Sequence, residues 1–124
     1  MKTIKVSEAT PLQLDWLMAK CEGKNGILHD DGITRCIVIA AASGVYKGTF
    51  KPTINWAQGG PIIEQERLAP EPLLDSNCVL IKWSCRNWKG DGSDFYGPTM
   101  LIAAMRCCVA SKLGEEVEVP DELI

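Results

Sequence analysis

At 124 residues and a formal net charge of −3, the chain has the length of one domain, 1–124. It lacks the clustered Lys and Arg that binding a phosphate backbone requires, so nucleic acid is not an expected partner. No apolar run approaches the ~20 residues of a membrane span, and the start M-K-T-I-K-V-S-E is too polar for a secretory signal, so a soluble cytoplasmic protein without a membrane partner is expected.

Thr3 to Ser7 alternates apolar and polar positions, as a half-buried strand does. Thr10, Pro11 and Gln13 form a capping-box pattern that starts a helix. Leu14, Leu17, Met18 and Cys21 then give one apolar stripe, and Gly23 closes it. K-N-G-I-L-H-D-D-G reads as a turn or loop. T-R-C-I-V-I-A-A is β-branched and continuously apolar, which reads as a strand covered on both faces, with a buried helix as the alternative that periodicity alone leaves open, and V-Y-K-G-T-F-K reads as a further strand after a Ser43-Gly44 hairpin turn.

From Pro52 to Pro72, four prolines and the Gly59-Gly60 pair predict mostly connection, with I-I-E-Q-E-R-L either a short helix begun at Pro61 or an edge strand. C-V-L-I-K-W-S reads as a strand. N-W-K-G-D-G-S-D-F-Y-G-P-T reads as a long polar loop, of the kind more often functional than accidental. The last helix opens at Gly97-Pro98-Thr99 and closes at Gly114, burying Leu101, Ile102, Met105, Cys108 and Val109. The tail E-E-V-E-V-P-D-E-L either adds a strand or remains an acidic end. These elements predict an α+β fold, a mainly antiparallel sheet with two principal helices packed on it.

Six cysteines without a C-x-x-C, mostly inside apolar segments, read as reduced thiols. Cys107 and Cys108 are adjacent and point to different sides of a helix, so no metal site is expected. His29 is the only histidine, and no nucleophile sits beside a base. No catalytic residue, cofactor or enzyme activity is therefore expected.

The aromatic residues point elsewhere. Two of the four tryptophans, Trp56 and Trp88, lie in or beside predicted loops, near Phe95 and Tyr96. Trp56 or Tyr96 can stack a base, with Asn55 and Gln58 bonding its edge or ribose. Gly59, Gly60 and Thr99 can offer donors to a phosphate near Arg106. The structural alternatives are that W-A-Q-G-G-P is a turn whose tryptophan caps the core, and that Arg106 pairs with an acid such as Glu64.

N-W-A-Q-G-G-P-I-I-E and G-P-T-M-L-I-A-A-M-R-C-C-V-A-S-K-L-G-E-E-V-E-V-P, with the opening V-S-E-A-T-P-L-Q-L-D-W-L-M-A-K-C-E-G, resemble the NinX-type family of small proteins of tailed phages and prophages. An aspartate often precedes that tryptophan in the family, and a proline often follows G-P-T; this chain has Asn55 and Met100 there. The resemblance implies a phage accessory protein in the bacterial cytoplasm and hands over no reaction. By analogy with other small phage proteins that trap immune signalling nucleotides, the expected function is sequestration of a small nucleotide-like ligand by a homo-oligomer. A protein–protein inhibitor and a small nucleotide-processing enzyme are the alternatives.

Overall fold

The computed structural model describes residues 1–41, 46–90 and 92–124. Strand β1 (Lys2–Lys5) leads through a 3-10 turn (Val6–Glu8) into helix α1 (Pro11–Cys21). The predicted capping box is present: Gln13 N donates to Thr10 Oγ1, and Thr10 N donates to Gln13 Oε1. Gly23, with φ of 68°, turns the chain beyond the helix.

The segment read as a loop is instead strand β2 (Gly26–Asp30), paired antiparallel with β3 (Arg35–Ala40). The intervening turn is fixed by Asp31, which accepts from the amides of Ile33 and Thr34. β3 buries Ile37 and Ala40 and only half-buries Cys36, Val38 and Ile39, so one of its faces is partly open. It pairs on its other edge with β4 (Tyr46–Thr49); the Ser43-Gly44 turn lies outside the described residues.

The second correction concerns N-W-A-Q-G-G-P. It is the first half of helix α2 (Trp56–Glu66), which starts five residues before Pro61 and contains that proline. Asn55 caps it by accepting from Ala57 N at 2.9 Å. Arg67, at φ 54°, ends it.

β5 (Glu71–Leu74), β6 (Leu80–Arg86) and β7 (Asp94–Gly97) form an antiparallel meander. The long polar loop thus contains a strand, β7. Helix α3 (Met100–Leu113) follows as predicted, capped by Thr99 and ended by Gly114. The tail supplies β8 (Glu116–Val119), which pairs with β1 from Lys2↔Val119 to Lys5↔Glu116.

The α+β reading holds, with the antiparallel strands divided among three small sheets and with a third helix. α3 is the axis of the core. It is buried on almost every side, because α1, α2 and the β6–β7 pair all pack on it. Gly97 permits a close approach of β7 to α3: a Cβ there would lie 2.7 Å from Ala103 N. No helix among the described residues is long and apolar enough to cross a membrane.

Candidate functional site

Helices α2 and α3 begin beside each other. The tight partner of this approach is Gly59, one turn into α2, whose absent Cβ would meet Pro52 O at 2.4 Å and Leu101 Cδ2 at 2.6 Å. Gly59 N donates to Asn55 O at 2.8 Å, so this glycine serves helix packing instead of offering a phosphate-binding loop. Gly60 is also helical, and a Cβ on it would meet only Trp56 Cε3, at 3.8 Å.

Between the two helix starts lies an open hollow of about 370 Å³, lined by Thr53, Ile54, Trp56, Trp83, Pro98, Thr99, Met100 and Leu101. Trp56 is the first residue of α2 and 54% exposed, so its indole is a wall and not a plug of the core. Trp83 on β6 forms a second aromatic wall and is half-buried. None of the lining side chains is charged. The electrostatic character of the hollow therefore comes from the helix starts, where the first amides lack intrahelical acceptors and carry partial positive charge.

Of the residues singled out in the sequence, Trp56 and Thr99 line this hollow, whereas Asn55 caps α2, its side-chain oxygen engaged by Ala57 N. The others are placed elsewhere. Gln58 donates to Thr49 O at 2.8 Å and accepts from Lys51 N at 2.7 Å, tying α2 to the end of β4. Tyr96 faces outward from β7, with Lys82 Nζ 4.1 Å from its ring centre.

Among the described residues Arg106 meets no carboxylate, and it does not line the hollow. Its Nη1 donates to Tyr96 O at 2.6 Å and its Nη2 to Ala9 O at 2.8 Å, so it ties α3 to β7 and to the start of α1. Desolvation lowers its pKa from the usual guanidinium value.

A protein-family profile described as Bacteriophage P22, NinX matches residues 5–112. The chain belongs to this family. The matched span includes both indole walls and both helix starts, so the hollow lies wholly within the NinX region. No curated protein matches the chain.

Behind the NinX hollow sits a residue that the sequence reading passed over. Asp15, in the buried face of α1, is 6% exposed, and its Oδ1 accepts from Thr53 Oγ1 at 2.9 Å and from Thr53 N at 3.2 Å. Burial pushes its pKa up from the ordinary 3.8 to about 7, while the Thr53 hydrogen bonds and nearby Lys51 oppose the rise. Asp15 thereby anchors the segment that leads into α2 and forms one wall of the hollow. The available signal was an acid in the middle of the apolar run L-D-W-L-M.

Proposed function

We propose that this NinX-family chain is a phage accessory protein that binds a small nucleotide-like ligand between Trp56 and Trp83 and acts by retaining it, without chemistry. The observation that carries the reading is the pairing of two indole walls with two helix starts around one open, uncharged hollow. Indole faces suit a flat base, and helix N-termini suit an anion such as phosphate. The volume of about 370 Å³ falls within the range of small-molecule sites. In the bacterial cytoplasm such retention would withdraw a nucleotide immune signal, and a second copy laid over the mouth would slow its release.

A second reading, docking onto a host or phage enzyme, is favoured by Ile54 and Ile81, both exposed beside this mouth. Ile81 lies two residues from Trp83 along β6, at the register shift in its pairing with β5, and adds an exposed apolar side chain on the strand that walls the hollow.

Protein purified from phage-infected cells, heat-denatured and analysed by chromatography and mass spectrometry, tests both. An intact nucleotide released by wild-type protein and absent from Trp56→Ala supports retention. A modified nucleotide indicates catalysis, and a co-purifying polypeptide with no small molecule indicates the inhibitor.

A further inference from the structure

The hollow between the two indoles is one end of a longer apolar surface. On β5, Leu74 lies two residues from Pro72 and so shares its face, and in the pairing with β6 Pro72 stands opposite Trp83 and Leu74 opposite Leu80. The face that walls the hollow with Trp83 therefore runs on through Leu74 and Leu80, while Ile81, unpaired at the register shift, takes up the odd residue. Past the hollow this face is open. Leu74 is 50% and Leu80 47% exposed, and among the described residues neither joins the core or the partly buried side chains packed on it. Val79 and Ile81 beside them are more exposed still.

Two observations bear on what covers it. The first is chemistry. From Leu73 to Ile81 the only charged side chain is Asp75, and its carboxylate accepts from the amides of Asn77 and Val79 in the hairpin's own turn. The tip thus shows a foreign partner no free charge to recognise, whereas interfaces between copies of one chain are the more apolar class. Strand addition is disfavoured as well, since β5 is the edge of its sheet and Pro72 within it has no N–H to donate.

The second is area. Leu74, Val79, Leu80 and Ile81 together expose on the order of 400 Å², so a two-fold contact confined to the hairpins removes about 800 Å² and falls short of the roughly 1,200 Å² at which specific interfaces begin. Ile54 and Trp56, on the rim of the hollow, are 63% and 54% exposed, and including them brings the total to about 1,400 Å², within the standard range. A stable dimer thus needs the hairpin of one copy to reach the hollow of the other. A projecting apolar hairpin and an apolar hollow on the same chain are the two halves of such a reciprocal fit.

We propose that this surface is the interface of a homodimer, in which the β5–β6 hairpin of each copy lies across the Ile54 and Trp56 rim of its partner's hollow. The dimer stands on these exposed faces alone; only its use in closing the hollow over a ligand rests on the retention reading.

Sedimentation velocity and light scattering of the full chain test it. Twice the 13.6 kDa of one chain is expected at micromolar concentration. Leu74→Lys and Leu80→Lys, each with native circular dichroism, weaken the dimer by roughly tenfold or more, and Trp56→Ala weakens it in the same direction. Ile33→Lys, at a 95% exposed apolar residue between β2 and β3, leaves the dimer intact. If the lysine variants misfold, amide hydrogen exchange on the wild type still decides, because residues 73–82 and 53–57 gain protection with rising protein concentration only if they meet across the interface. The inference is overturned if the purified chain is monomeric at submillimolar concentration, if folded lysine variants stay dimeric, or if Ile33→Lys also breaks the dimer. A dimer of the expected kind that releases no nucleotide on heating supports this interface and sinks the retention reading, and a monomer that retains a nucleotide does the reverse.

Discussion

Replacing Asp15 by Asn tests the buried anchor behind Thr53. In the folded chain the carboxyl keeps its proton up to about pH 7, whereas the unfolded chain releases it near the ordinary 3.8. Between these values the folded state binds more protons, so stability is greatest below about pH 4 and falls as pH rises towards 7. The gap corresponds to roughly 4 kcal/mol. Asparagine keeps an oxygen to accept from Thr53 N and Oγ1 and has no charge to bury. Asp15→Asn is therefore expected to match the wild type near pH 4 and to exceed it by up to ~4 kcal/mol at pH 8.

Urea unfolding followed by tryptophan fluorescence at several pH values measures this. With a slope of about 2 kcal/mol per molar urea, the midpoint difference at pH 8 reaches ~2 M. Comparing the two proteins at each pH cancels other titrations. One of these is Glu66, whose pKa is held down chiefly by its hydrogen bond with Lys112 and which destabilises the fold as pH falls. A difference that does not change with pH, or a variant less stable than the wild type at pH 8, would refute the assignment of a buried, desolvated carboxyl.

Adjacent glycines in α2 should respond with opposite signs. Gly59→Ala drives a Cβ into Pro52 O and Leu101 and should cost about 1–3 kcal/mol in urea unfolding, while Gly60→Ala meets only ordinary contact and should gain up to ~1 kcal/mol from helix propensity. Trp56→Ala should retain the native circular dichroism and lose less than about 1 kcal/mol, since the indole is 54% exposed, while releasing no nucleotide on heating. Arg106→Met strips the donors from Tyr96 O and Ala9 O and should lower stability by about 1–3 kcal/mol, with faster hydrogen exchange in β7 as the local signature.

The parts of the fold legible in the sequence are those where local chemistry and packing agree. Thr10, Pro11 and Gln13 specify the start of α1 by their own hydrogen bonds, and Thr99 with Gly114 brackets α3 in the same way. α2 was hidden because its sequence argues against a helix. Two glycines each cost about 1 kcal/mol in a helix and an internal proline costs more. Packing reverses the argument, since only a glycine at 59 lets α2 approach Pro52 and Leu101.

β2 and β7 were missed for a different reason. Each is a short strand inside a glycine-bearing segment, and its pairing partner, not its own pattern, defines it. The same limit governs the site. Trp56 stood out through its polar and glycine neighbours, but Trp83 lay in a segment, C-V-L-I-K-W-S, that reads only as a strand. Only the placement of β6 against the start of α3 makes it the facing wall. Arg106 carried a clear signal of a buried guanidinium needing acceptors, and its acceptors proved to be two carbonyls that no residue pattern marks.

The pairing of β1 with β8 has a consequence for biogenesis. Val6 N donates to Glu115 O at 2.9 Å, Gln13 Nε2 to Leu123 O at 2.9 Å, and Arg35 Nη2 to Glu122 O at 2.6 Å. The segment from β1 to the start of β3 is thus locked by residues that emerge from the ribosome much later, 110 positions on in the case of Gln13 and Leu123. A nascent chain cannot complete the edge around α1 before β8 has emerged, and until then β1 stays open to chaperones and proteases.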